Sequence, residues 1–230
     1  LDGELAKTLS GYGYTVTPSD FQDIGLGVDS EIASATDATS SLGARYSYFE
    51  GRLDEVAVFD RALTQDEIRA LMYRGDPQLQ LGFEENALYN GSTLADETGL
   101  AYAATVVAND GGLGQSDDDK SAAGIVGSGA LALDGDGDYA SIASDHLNAD
   151  TFTQMAWVYP DASNSVHPIF SNRAYTESTV PYPYLYIVND YIRYGVDAVY
   201  RTTDPGVVTQ GAWNHVAGVF DGTTYRVYVN

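Results

Sequence analysis

Gly51-Arg-Leu-Asp-Glu-Val-Ala-Val-Phe-Asp-Arg-Ala-Leu-Thr-Gln-Asp-Glu-Ile-Arg-Ala-Leu71 reads as a strand followed by a capped helix, and it lies early in a chain of 230 residues. Leu53, and further on Val56 and Val58, are the inward positions of the strand. Thr64, with Glu67 three residues later, forms a capping box, in which hydroxyl and carboxylate satisfy each other's backbone N–H groups. Leu63, Ile68, Leu71 and Met72 make the apolar stripe of the helix and Gly75 stops it, so the spacing predicts one short helix near 64–74. Then Asp76-Pro77-Gln78 makes a link, and Leu79-Gln-Leu-Gly-Phe-Glu84 opens a fresh β region that runs on to Asn230. A closing element therefore precedes an opening one. Either circular permutation within one chain or a half supplied by a neighbour would complete such a fold, and borrowed halves build filaments.

Working outward, residues 1–50 alternate short apolar runs with turns. Strands are expected at Gly3 to Leu9, Phe21 to Val28 and Tyr46 to Phe49, with a Ser- and Ala-rich surface loop from Ser30 to Leu42. From Leu79 onward the pattern is β throughout. The expected strands are 79–84, 102–107, 130–134, 138–143, 152–159, 167–171, 184–189, 191–196, 199–202, 213–220 and 224–229. Asn189-Asp190 and Asp221-Gly222 are read as hairpin turns. Many short strands with turn-bounded spacing predict an all-β, antiparallel two-sheet β-sandwich with that one short helix. The chain ends, Val229-Asn230 and Leu1-Asp2, overlay as one strand–turn–strand, which implies about one repeat period cut within a hairpin and a segment of something longer.

Composition narrows the partners. The formal net charge of −22 argues against nucleic acid and anionic membranes, which need a basic surface. With nine Arg and only Lys7 and Lys120, so acidic a chain suits a salty or divalent-rich exterior that screens self-repulsion. No apolar run reaches membrane-spanning length, and the absence of cysteine leaves compartment unreadable from redox chemistry.

These segments together resemble the LamG-like jelly rolls of the concanavalin A-like lectin/glucanase superfamily. The closing signature of that family matches Gly51 to Leu63. Its opening half matches Leu81-Gly-Phe-Glu-Glu85, Gly129-Ala-Leu-Ala-Leu-Asp-Gly-Asp-Gly-Asp-Tyr139, Phe152-Thr-Gln-Met-Ala-Trp-Val158 and Trp213-Asn-His-Val-Ala-Gly-Val-Phe-Asp-Gly222. The resemblance implies a concanavalin A-like jelly roll, with 1–75 its C-terminal half, 76–78 a linker and 79–230 its N-terminal half. Trp157 and Trp213 fall in family strand signatures and are expected in the core.

Asp134-Gly-Asp-Gly-Asp138 has carboxylates alternating with glycine, which can present several oxygens to a hard cation, although an acidic turn would read the same way. The resemblance implies a structural Ca²⁺ where this loop meets the closing and opening strands. That makes Asp136, Asp138, Asp54 and Glu84 candidate ligands, with Asp96 a weaker one. Asp54 and Glu55 are adjacent in a strand, so only one can face inward, and an inward Asp needs a partner. Glycoside hydrolysis needs paired carboxylates across a cleft. Glu50-Gly-Arg-Leu-Asp54-Glu55 has the wrong spacing for the acid run of the related glucanases, so no catalytic residue is assigned. The three histidines are scattered, which disfavours zinc and nucleophilic catalysis. Tyrosines crowd 175–200. Tyr182, Tyr184 and Tyr194 are candidate sugar-binding residues, with core packing the plainer role for such rings.

The expectation that follows is a non-catalytic extracellular or cell-surface structural module. It would be a repeat of a long array or a filament subunit, completed by neighbouring copies and braced by calcium. A carbohydrate-binding lectin module, with glycans as partners, is the alternative.

Overall fold

The computed structural model describes residues 4–10, 24–28, 48–71, 77–100, 102, 104–108, 118–142, 151–161, 166–171, 183–196 and 199–230. They form sixteen strands and one helix. In chain order the strands are β1 (Glu4–Ser10), β2 (Ile24–Leu26), β3 (Glu50–Phe59), β4 (Leu79–Leu81), β5 (Thr93–Leu94), β6 (Ala104–Val107), β7 (Ser121–Ala122), β8 (Ala130–Asp134), β9 (Tyr139–Ile142), β10 (Phe152–Pro160), β11 (Val166–Ser171), β12 (Pro183–Val188), β13 (Tyr191–Val196), β14 (Val199–Thr202), β15 (Asn214–Phe220) and β16 (Thr224–Val229). The helix α1 is Gln65–Leu71. The two short strands β5 and β7 lack apolar alternation, and the sequence did not announce them.

Two antiparallel sheets face each other. One runs β1-β16-β15-β10-β3-β8-β7, with β4 also on β3; the other runs β14-β13-β12-β11-β2-β9-β6-β5. The expected two-sheet sandwich is what the chain forms. Both halves of the chain enter both sheets. β3 lies between β10 and β8, β2 lies between β11 and β9, and β1 pairs with β16, all within one chain. The register of the last pair sets Glu4 opposite Val229.

The space between the sheets is filled by Leu53, Val56, Val58, Val158, Val216 and Phe220 on one side, and by Phe170, Leu185, Ile187, Ile192 and Tyr194 on the other. Tyr194 reaches so far across that the facing strand carries Gly218. A Cβ there would come within 2.6–2.8 Å of the Tyr194 ring. On its far face the first sheet is covered by α1. Leu63 and Ile68 pack there on Ala57, Phe59, Met155, Ala217, Val219 and Tyr228, and each buried aliphatic side chain contributes about 1.5–3 kcal/mol. The capping box forms as read. The Thr64 N–H donates to Glu67 Oε2 at 2.8 Å, and the Glu67 N–H donates to Thr64 Oγ1 at 3.3 Å. Met72 and Gly75 lie outside the described residues.

One irregularity in β3 decides the site. Between Asp54 and Ala57 the register with β10 slips, so that Glu55 and Val56 together oppose Ala156. Glu55 has φ 47°, the left-handed backbone that a bulge of this kind uses. The slip explains why Leu53 and Val56, three apart, both point inward. On its other edge β3 changes partner at the same place. Glu50 to Leu53 pair with β8, and Val56 to Val58 pair with β4.

Candidate functional site

Asp54 stands in that gap between partners. It lies on the opposite face from Leu53, so it is not in the space between the sheets, yet it has no exposed surface. The loop 124–129 buries it. The N–H groups of Ile125 and Val126 donate to Asp54 Oδ2 at 2.7 and 3.1 Å. Asp54 Oδ1 is buried and accepts no hydrogen bond. Burial pushes the carboxyl up to about 6, against the pull of the Val126 and Ile125 N–H groups, and the Glu84 charge adds to the rise.

The same loop grips Glu84. Ser128 donates its N–H and its hydroxyl to Glu84 Oε2 at 3.0 and 2.7 Å, and the Gly129 N–H reaches Oε1 at 3.4 Å. The Ser128 hydroxyl and N–H hold the Glu84 carboxyl below its ordinary value. The loop lies so close to the chain beneath it that a Cβ on Gly129 would collide with the Phe83 carbonyl, and one on Gly127 with the Glu84 carboxylate. Glu55 and Glu97 stand nearby, each raised by burial first and neighbouring carboxylates second, and the Gln80 amide donates to both.

The other expected ligands are elsewhere. Asp134 ends β8 opposite Glu50, whereas Asp54 lies one residue beyond the Leu53–Leu131 pair. The Asp134–Asp138 loop is therefore roughly 13 Å along the strand from Asp54. That loop has a cation of its own. Lys120 Nζ, nearly buried, lies 2.7 Å from Asp138 and 3.1 Å from Asp134. Burial opposes the ammonium, but the hydrogen bonds to Asp138 and Asp134 outweigh it and the lysine titrates above its ordinary value. Asp138, fully buried, is thus paired by a side chain of the protein. Asp136 is exposed, its N–H donating to Asp134 Oδ1 at 2.8 Å. Asp96 serves its own turn, accepting from the N–H groups of Gln80, Thr98 and Tyr102 and from the Thr98 hydroxyl.

Among the described residues, no group of three or more His, Asp or Glu side chains is arranged to hold a metal ion. The expected ligand set therefore divides. Asp138 already has the Lys120 ammonium as its cation, and Asp136 is exposed and outside that pair. Asp54 and Glu84 do fit as a pair of hard oxygen donors. They are bound by one loop, and one of them has a buried oxygen without a donor.

The tyrosine expectation also divides. Tyr194 is fully buried between the sheets, its ring edge-on to Tyr225 at 5.5 Å, and burial pushes its phenol well above the ordinary range. It is a core residue, because the even positions of β13 face inward. Tyr184 is half-buried on the outer face of the second sheet, 4.8 Å from the Tyr186 ring. Tyr182 lies outside the described residues.

Trp213 corrects the expectation in the other direction. Trp157 is buried against His215, with ring centroids 5.2 Å apart. Trp213 is only half-buried, on the outer face of the first sheet beside Tyr159. The parity of β15 held that signal: Val216 and Phe220 face the core, so the odd positions face out.

Residues 134–230 match the family model described as the concanavalin A-like lectin/glucanases superfamily, in its laminin G-type form. That stretch is less than half of the chain, and over it the chain is similar to that superfamily, while the whole chain forms a two-sheet antiparallel sandwich. No curated protein and no solved structure matches the chain. Laminin G-like domains are typically extracellular. Among the described residues no helix is long and apolar enough to cross a membrane.

Proposed function

We propose that this chain is a non-catalytic extracellular recognition module, adhesive or carbohydrate-binding, in which a rigid sandwich presents a surface to its partner. The observation that carries this reading is the laminin G-like match over 134–230, in a chain whose two halves supply strands to the same two sheets. The absence of the glucanase acid run from β3 is the reason that catalysis is left out. Polymerisation through exchanged halves is also left out, since β1, β2 and β3 already have partners in their own chain.

Calcium enters the proposal as a brace held by Asp54 and Glu84. When bound there it would supply positive charge to two neighbouring carboxylates, one of them buried. The chain's own part is to fix both carboxylates on one loop. Ile125 and Val126 orient Asp54, and Ser128 orients Glu84. The brace would then tie β3, from the leading half, to the 84–129 region of the trailing half.

The test is retention of the purified chain on immobilised glycans and extracellular-matrix proteins, in calcium and in chelator, with release of reducing sugar followed in the same samples. Retention without product release is the expected result. Release of reducing ends would make the chain an enzyme and overturn the reading.

A further inference from the structure

Nine arginines and two lysines face 33 carboxylates in this chain, so a cation with no acidic partner is conspicuous. Arg61, Lys120 and Arg226 each pair with a carboxylate. Arg52 does not: among the described residues its guanidinium has no carboxylate and no hydrogen-bond acceptor, and it lies over the Tyr159 ring, 5.0 Å from the centroid. Across the next strand boundary the Trp213 ring meets Tyr159 edge-on at 5.6 Å and 71°. The row follows from register. Tyr159 is opposite Arg52, and the pairing of Val158 with Asn214 puts Trp213 on its other side.

All three side chains are half-buried on the outer face of the first sheet, one row along from the Asp54–Trp157 pair and on a different sheet from Tyr184 and Tyr194. The row crosses three strands and so spans about 10 Å. Its border is acidic. Glu50 lies two residues before Arg52, and the N–H of exposed Asp161 donates to the Glu50 carbonyl at 3.1 Å.

We propose that Arg52, Tyr159 and Trp213 form a binding site for a neutral glycan. The rings offer apolar faces to the C–H faces of sugar rings, and the guanidinium edge donates to hydroxyls or ring oxygens. Glu50 and Asp161 provide carboxylates at the border that can accept from hydroxyls. Those carboxylates, with the net charge of −22, repel uronate or sulfated chains, which is why the ligand is neutral. The span accommodates a short run of sugar rings rather than one. This inference rests on the reading of the chain as a recognition module and gives it a location.

Tryptophan emission reads the site directly, because the chain has only two tryptophans and Trp157 is buried. The intact chain is titrated with cellohexaose, laminarihexaose, xylohexaose and mannohexaose, and with hexamers of galacturonic acid as the acidic arm. Saturable change in emission with a neutral hexamer, and none with the acidic one, is expected. In titration calorimetry, which does not depend on the Trp213 emission, Arg52→Gln and Trp213→Phe, each checked for an unchanged far-ultraviolet spectrum, should bind at least about tenfold more weakly, as loss of a central contact does. Tyr184→Ala should not. If neutral glycan binds but Arg52→Gln and Trp213→Phe bind equally well, this site is wrong while the recognition module stands. Preference for the acidic hexamer would overturn the ligand class. Binding to no hexamer overturns the inference, and retention on matrix proteins then reports separately on the module.

Discussion

Asp54, in β3, and Asp138, in the loop between β8 and β9, are both fully buried carboxylates, yet they are held in opposite ways. Asp138 has a formal counter-charge, the Lys120 ammonium at 2.7 Å. Asp54 has only backbone N–H groups on one oxygen and nothing on the other, beside a second carboxylate. The first site is complete without any ion. The second holds negative charge that the protein itself does not balance. Buried charge costs free energy unless paired, so the two sites should answer mutation, pH and calcium differently.

Removing the counter-charge is the strongest way to break the contrast. Lys120→Met should destabilise the chain by about 3–5 kcal/mol in chemical denaturation, since it leaves Asp138 buried and unpaired. Adding Asp138→Asn to that variant should restore much of the loss. If the double variant is no better, Asp138 is not the reason for the cost.

Next comes the titration of Asp54. Its folded-state value is raised to about 6 from 3.8, so the native state binds more protons across that window and stability falls as pH rises through it. His215 works the other way. Burial lowers it from 6.5 to about 4, the unfolded chain binds more protons, and stability rises with pH through that window. The two slopes oppose each other between pH 4 and 6. In chelator, Asp54→Asn should therefore gain on the wild type as pH rises from 4 to 6, by up to about 1.4 kcal/mol per unit. Calcium should raise the wild-type melting temperature and leave the variant unchanged.

A smaller effect is expected from the loop itself. Gly129→Ala forces a Cβ against the Phe83 carbonyl and should cost about 1–3 kcal/mol, with the calcium response reduced. The smallest belongs to Asp136→Asn. That side chain is exposed and outside the Lys120 pair, so stability should stay within about 0.5 kcal/mol of wild type and the calcium response should persist. Loss of the calcium response in this variant would return the Asp134–Asp138 loop to the metal site.

Features that depend on near neighbours were legible in the sequence. Thr64 and Glu67 cap α1 across three residues, and Asn189, at φ 56°, turns the hairpin between β12 and β13. The bulge in β3 was written in the odd spacing from Leu53 to Val56, although period-2 reasoning alone does not say that the gap frees Asp54. What pairs with a carboxylate was not legible. Lys120 is 18 residues from Asp138, a single lysine in an acidic stretch, and only the β7–β8 pairing brings the two together. The tyrosines misled for a related reason. Tyr194 is inward by parity, but a tyrosine fits there only because Gly218, 24 residues on, lacks a side chain.

The position of β3 also bears on how the chain is made. It is an interior strand, and its neighbours β8 and β10 are encoded well after it. During synthesis, β3 leaves the ribosome roughly 75 residues before β8 is complete and roughly 100 before β10 is, a wait of about 4–20 s. Until β8 emerges, a ten-residue strand with a Val-Ala-Val-Phe end has neither of the two partners that later flank it. Its Arg52, Asp54 and Glu55 break the run at the other end, as charges placed beside unavoidable apolar strands do. The carboxylate that strains the finished sheet thus keeps the nascent strand from the wrong company.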